Sequence, residues 1–332
     1  MHPIRKSLSA LLLGLVASAA LADASLLNVS YDVARDVYKD YNPLFQKHWK
    51  AKTGESLELK QSHAGSSKQV RAVADGLEAD VVTMNQVNDI EFLVDKGLVA
   101  KDWAKKFPNS ASPYTSAMVF IVRKGNPKGL KDWADLAAPG VQVIIPHPKN
   151  TGNGRNTYLS AWAWALKQPG GSDKTAQEFL GKLLKNAPLF AAGGRDATTT
   201  FMQRRIGDVL ITFESEAEMI AKEFGKGEFE VVYPSLTMQT EFPVAIVDKV
   251  VDKKGTRKQA TAYLEYLWSK EGQENAALNY LRPRDPELLK KYAASFPAVR
   301  TFTVDEVFGS AAKAFATHFK DGGTFDQVYV AK

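Results

Sequence analysis

Apolar residues recur along this chain in two rhythms, short continuous runs and stripes at three-and-four spacing, and the two alternate from about residue 26 onward. A strand buried on both faces reads as a run, whereas one helix face returns about every 3.6 residues, so the alternation predicts an α/β architecture. LLNVSY (26–31) predicts a first strand, followed by a helix with Ala34, Val37, Tyr38, Tyr41 and Phe45 on one face. Pro43 lacks an N–H and predicts a kink there, or a restart capped by Asn42. A second strand over SLELK leads to a helix bearing Val70, Val73, Ala74 and Leu77, with Ser66 or Ser67 expected as its N-cap. DVVTM (80–84) predicts a third strand, and Val87, Ile90 and Val94 a helix closed by Gly97.

AMVFIVRKGNP (117–127) predicts a long strand that divides the chain. Beyond it come VQVII (141–145), two helices striped by Tyr158, Ala161, Trp162, Ala165 and by Ala176, Phe179, Leu180, Leu183, then DVLIT (208–212) and FEVVY (229–233). FPVAIVDKVV (242–251) predicts a matching long strand, with helices carrying Tyr263, Leu264, Leu267 and Trp268 behind it. Two long strands bracketing one strand-and-helix set predict two lobes joined by two crossings, with a ligand cleft between them. The expected division is 23–117 with 248–332 as lobe I and 118–247 as lobe II.

The first 22 residues stand outside this pattern. Arg5 and Lys6 precede an apolar run too short to span a bilayer, and Ala20-Leu21-Ala22 has the small-residue form of a cleavage site, which predicts a signal peptide over 1–22 and a periplasmic mature chain. The sequence has no cysteine, which excludes disulfides, thiolate metal sites, a catalytic thiol and a lipid-modified N-terminal cysteine. The net charge of +6 falls to +4 without Arg5 and Lys6, and its bases are interleaved with acids, which gives no nucleic-acid groove.

Three stretches, QSHAGSSKQ (61–69), HPKNTGNGRNTY (147–158) and AGGRDATTTF (192–201), set small residues and hydroxyls in front of a helical stripe. A helix start offers unpaired backbone N–H groups at the positive end of the peptide dipoles and can hold an anion that comes close enough, which small residues permit. Any one such corner is explained by ordinary capping; three of them, from both expected lobes, point to an anion. Other chemistry is missing: Gly152-Asn153-Gly154 is a fragment of a dinucleotide fingerprint, the phosphate-loop pattern is incomplete, the histidines lack metal-ligand spacing, and no nucleophile elbow occurs. No cofactor is expected. Arg155 and Arg195 are expected to brace the corners through carboxylates.

In this order LLNVSYD, QSHAGSSKQ, VRKGNPKGLKDWADL, PHPKNTGNGR, GGRDATTTF, IGDVLITFESEA and FPVAIVDKVV resemble the periplasmic sulfate- and thiosulfate-binding proteins of ABC-type importers. The resemblance implies the type II-like periplasmic-binding fold, closure of two lobes over the ligand, a monomer, and docking onto permease subunits. It also implies that backbone N–H groups of Asp32, Ser66, Gly152, Asn153 and Gly194 hold the anion, helped by the Thr151 hydroxyl where the family usually has serine. Asn153 replaces a glycine of some members, and Phe213 stands where sulfate-specific members carry a tryptophan that donates its indole N–H. Phenylalanine cannot donate, so thiosulfate is expected to bind at least comparably to sulfate. Two rivals stay open: a receptor for another tetrahedral oxyanion, and a periplasmic ester hydrolase with His63 as base beside Ser66 or Thr151.

Overall fold

The computed structural model describes residues 24–225 and 227–329, so the expected signal peptide lies outside the described residues. Two sheets with helices around them carry the architecture. In the first, β1 (Ala24–Tyr31) pairs in parallel with β2 (Leu57–Ala64) along its whole length and with β3 (Val81–Thr83) on its other side. Parallel neighbours need a helical crossover, and the helices Arg35–Thr53 and Ser66–Ala74 supply the two connections.

The second sheet is built around β4 (Tyr114–Arg123), almost wholly buried. The outer half of β4 pairs with β7 (Val209–Phe213) and β8 (Phe229–Val232), and its first half pairs with β9 (Thr237–Glu241). Parallel strands β5 (Val143–Pro146) and β6 (Phe190–Ala191) extend it beyond β7. After β9 the chain returns to the first sheet, where β10 (Val244–Ile246) pairs antiparallel with β3.

The structure corrects two local expectations and excludes one alternative of a third. Helix Arg35–Thr53 runs through Pro43 without a restart. Proline omits one bond toward the carbonyl of Lys39, and Tyr41, Phe45, Tyr263 and Tyr266 pack ring on ring across that turn; burial of such rings outweighs one missing bond. The cap of the second helix is Gly65, with Ser66 its first helical residue. The long strand expected over 242–251 is short: Met84 N–H bonds to Pro243 O, β10 ends at Ile246, and Asp248–Lys254 is a helix closed by left-handed Gly255. Its Val250 and Val251 read as strand by composition, but Asp248 in the first turn and Gly255 past the end are helix boundaries.

Beyond β10 the helix Arg257–Glu265 packs on β10 and the helix Lys270–Leu278 packs on the helix Arg35–Thr53, while the last segment reaches both halves. Asn88 donates to Ala311 O at 3.2 Å, and Lys149 pairs with Asp321 and Asp326 at 2.8 and 2.9 Å. Among the described residues no helix is long and apolar enough to cross a membrane.

Candidate functional site

β1 and β2 both end at the seam between the sheets, and the three corners meet there. At the first, the chain leaves β1 at Tyr31 and turns, so that the Asp32 carboxylate reaches the start of helix Gly194–Met202 from the other sheet. Asp32 Oδ1 accepts the Val33 N–H at 3.1 Å and Oδ2 the Arg195 N–H at 3.3 Å, and the N–H groups of Asp32 itself and Gly194 also favour its charge. Burial is the larger effect and raises its pKa above the ordinary carboxylate value despite these donors. A Cβ on Gly193 would lie 2.6 Å from Asp32 Oδ2, so this glycine is fixed by close approach. Backbone N–H groups from both sides of the seam therefore already converge on one acidic side chain here.

At the second corner, Gly65 in extended backbone starts helix Ser66–Ala74 with no side-chain cap. The Ser66 side chain is 1 % exposed and its hydroxyl has no hydrogen-bond partner among the described residues. An unmatched buried hydroxyl costs about 1–3 kcal/mol. Gly65 faces Ala192 across the seam, where a Cβ would stand 3.6 Å from the Ala192 carbonyl.

The third corner is closed on itself. Thr151 is the N-cap of helix Gly152–Leu166: its hydroxyl accepts the Gly154 N–H at 3.0 Å and donates to His147 O at 3.0 Å. The one hydroxyl proton is thus committed within the loop. Gly152 abuts the first sheet's side, a Cβ there falling 2.0 Å from Asn85 Oδ1, and Gln86 Nε2 donates to Gly152 O at 3.3 Å. Asn153 is buried and donates to Thr212 Oγ1 at 3.0 Å, and its amide nitrogen lies 3.6 Å from where a Cβ of Gly194 would be. The structure thus brings Asp32, Gly152, Asn153 and Gly194 to one seam, with Ser66 one residue from the Gly65 contact. Phe213, the last residue of β7, is buried with its ring 5.6 Å from Phe242, which stacks on Tyr31 at 5.4 Å.

Both arginines brace the corners through carboxylates. Buried Arg155 donates to Ser67 Oγ at 2.8 Å and to Lys149 O at 3.0 Å and lies 3.4 Å from Asp89. Arg195 pairs with Asp36 at 3.0 Å and Glu223 at 3.1 Å.

Three residues escaped sequence reasoning. Asn85, with an unpartnered buried Oδ1, and Asp89 sit where a strand gives way to a helix, and nothing in their spelling tells that Gly152 and Arg155 will pack on them. Glu216 is 1 % exposed with Oε1 unpartnered, and burial, then the neighbouring Asp32, Asp36 and Glu223 against the lowering effect of Arg195, pushes its carboxyl up to about 8. The hydroxyl of Ser66 makes no bond to His63, whose pKa is lowered by burial and by Arg35. Among the described residues no group of histidine and carboxylate side chains could hold a metal ion.

Residues 26–277 match the family described as "Bacterial extracellular solute-binding protein". The chain is 63% identical over 312 residues to the thiosulfate-binding protein of Pseudomonas aeruginosa, covering 94% of each, and 50% identical over 315 residues to the sulfate-binding protein of Escherichia coli, covering 95% of this chain and 96% of that one. Among solved structures, the sulfate-binding protein SubI from Mycobacterium tuberculosis superimposes with a TM-score of 0.81 at 29% identity, over 90% of this chain and all of that one. A periplasmic thiamin binding protein shares the fold, with a TM-score of 0.66 at 18% identity over 96% of this chain and all of that one. With this two-lobed, type II-like architecture and these relatives, the chain belongs to the sulfate- and thiosulfate-binding proteins among the bacterial extracellular solute-binding proteins.

Proposed function

We propose that this chain is a periplasmic receptor that captures sulfate or thiosulfate in the seam between its sheets and delivers it, as a monomer, to the permease subunits of an ABC-type importer. One observation carries the reading: the Val33 and Arg195 backbone N–H groups, from opposite sides of the seam, both bond the Asp32 carboxylate, so the corner turns N–H donors toward negative charge, beside a buried hydroxyl with no partner. The anion is held by the backbone N–H groups of Asp32, Ser66, Gly152, Asn153 and Gly194, with the Ser66 hydroxyl as an added donor. Thr151 acts on the Gly152 corner through its cap, and Phe213 presents an apolar wall. The two lobes, expected as 23–117 with 248–332 and 118–247, close over the ligand, and β10 at Val244–Ile246, paired with β3, moves the second crossing to just before residue 244.

Selectivity follows from proton count. Sulfate and thiosulfate near neutral pH only accept hydrogen bonds, whereas phosphate keeps a proton that needs an acceptor. A phosphate proton buried against backbone N–H donors lacks a partner at a cost of about 1–3 kcal/mol. A hydrolase would need a base bonded to the Ser66 hydroxyl, and the relatives are named binding proteins.

The test is calorimetry on refolded, ligand-stripped protein with sulfate, thiosulfate, molybdate and phosphate. Micromolar or tighter binding of a sulfur oxyanion with phosphate at least about a hundredfold weaker, near 2.7 kcal/mol, is expected. Stronger phosphate binding, or no binding of either sulfur anion, overturns the reading. Small-angle scattering on the same samples should give a smaller radius of gyration with ligand.

A further inference from the structure

Two cavities border the ends of the seam, and their charges differ. One, of about 740 Å³, lies between helix Ser66–Ala74 and the loops at His147 and Ala192. Its bases are Lys68 and Arg71, exposed side chains that make no hydrogen bond or ion pair among the described residues. Of its two acids, Asp196 accepts the Ala192 N–H at 2.9 Å and lies 4.0 Å from Arg204, which leaves Asp75. The other cavity, of about 660 Å³, reaches Asn85 and Gln86 from the opposite side and is lined by Glu91, Asp95, Glu241 and Asp305. Of these only Glu241 pairs with a cation, Arg284, and the single base of the lining, Arg155, is spent on Asp89.

A dianion at either mouth feels these charges over a Debye length of about 8–10 Å at moderate salt. The mouth with three unneutralised acids repels it, while Lys68 and Arg71 stand in the first and second turns of the helix whose first residue is Ser66 and add to the positive field of that helix start. Both side chains are exposed and make no hydrogen bond or ion pair among the described residues, so their effect falls on approach and leaves the bound state alone.

Resting on the reading of the seam as a sulfur-oxyanion site, we propose that the opening beside Ser66 is the route by which the anion reaches it, and that Lys68 and Arg71 steer the anion in without holding it afterwards. The route is one-sided: the cavity lined by Glu91, Asp95 and Asp305 admits solvent and turns anions away.

Radiolabelled sulfate tests this on the mature protein, with Kd from equilibrium dialysis, koff from chase with excess unlabelled sulfate in rapid filtration, and kon from their ratio. The double variant Lys68→Gln/Arg71→Gln should lower kon about five- to tenfold at low ionic strength and converge on wild type near 0.5 M salt, with koff unchanged. The control Lys174→Gln/Lys182→Gln, removing two exposed bases on helix Asp173–Lys185, neither of which lines either cavity, should leave kon within about twofold. Unchanged kon in the first variant, an equal loss in the control, or a change confined to koff overturns the route. Wild type that binds neither sulfate nor thiosulfate in dialysis overturns the ligand reading and the route with it, whereas binding with unaltered kon overturns the route alone.

Discussion

The Thr151 corner and the Ser66 corner are spelled alike, with small residues and a hydroxyl ahead of a helix, yet they are physically opposite. Thr151 spends its hydroxyl within its own loop, on the Gly154 N–H and the His147 carbonyl. Ser66 has no such partner, and no side chain caps its helix. The glycines differ as well: Gly152 and Gly154 are demanded by packing, with Cβ clearances of 2.0 Å to Asn85 Oδ1 and 2.4 Å to Pro146 O, whereas Gly65 has 3.6 Å of room. One signature thus has two causes, a loop that stabilises itself and a loop that leaves donors free.

The largest effect expected from this contrast is on folding. Gly154→Ala drives a methyl into a backbone carbonyl that cannot turn aside and should cost about 3 kcal/mol, the upper range for overpacking. Gly65→Ala should cost less than about 1 kcal/mol, near the small surface-type changes. Urea unfolding of both reads the difference, and similar midpoints would break the distinction between a packed and an open corner.

Behind Asp32 at the Gly194 corner lies a second buried acid, Glu216. With its carboxyl pushed up to about 8 from an ordinary 4.5, Glu216 is protonated in the fold at neutral pH. A raised pKa in the folded state contributes stability that is fully present below the ordinary value and is lost as pH rises from 4.5 toward 8. The slope is at most about 1.4 kcal/mol per pH unit. Glu216→Gln keeps the neutral shape, so the difference in unfolding free energy between variant and wild type should grow in the variant's favour between pH 5 and pH 8. Parallel curves across that window would mean that Glu216 is ionised in the fold.

Next come the hydroxyls themselves. Ser66→Ala should weaken sulfate or thiosulfate binding by about 1.5–3 kcal/mol, the worth of a hydrogen bond to a charged group, with stability unchanged or slightly improved because an unmatched buried hydroxyl is gone. Thr151→Ala should do the reverse, costing about 1 kcal/mol of stability as a lost cap, with the smaller change in affinity. Calorimetry and urea melts on the same two samples give all four numbers, and a larger affinity loss for Thr151→Ala than for Ser66→Ala would invert the assignment.

How much of this was legible depends on range. Periodicity gave the helices behind Val37 and Tyr158 and the strands over 26–31 and 141–145 because burial acts through local spacing. At Pro43 it left open a restart that the structure does not make, and it failed at 242–251, where a pair of helix boundaries outweighed local preference. At the corners, sequence identified the small residues but could not tell free donors from spent ones. That Thr151 bonds its own loop while Ser66 bonds nothing depends on how the loop folds. Asn85, Asp89 and Glu216 were illegible for the same reason: their partners lie about 20 to 180 residues away in the chain.

The smallest effect concerns Phe213, which sits behind the open corners rather than in either. Its ring is buried edge-on to Phe242, within a stack that continues to Tyr31, the residue before Asp32. A phenyl ring offers the ligand a weakly positive edge and no donor, which suits the large, soft sulfur of thiosulfate better than a fourth sulfate oxygen. Phe213→Trp adds an indole N–H. It also overfills a closed space, so stability should fall by about 1–3 kcal/mol, and binding must be compared at a temperature where the variant is folded. Under those conditions the affinity ratio of sulfate to thiosulfate should rise about three- to tenfold, up to about 1.4 kcal/mol, with wild type binding thiosulfate no worse than about tenfold below sulfate. Competition calorimetry with both ions on both proteins measures the ratio free of concentration errors. A ratio that stays put in a folded tryptophan variant would mean that residue 213 does not face the ligand, and that the choice between the two anions is made by the Ser66 hydroxyl and the N–H groups alone.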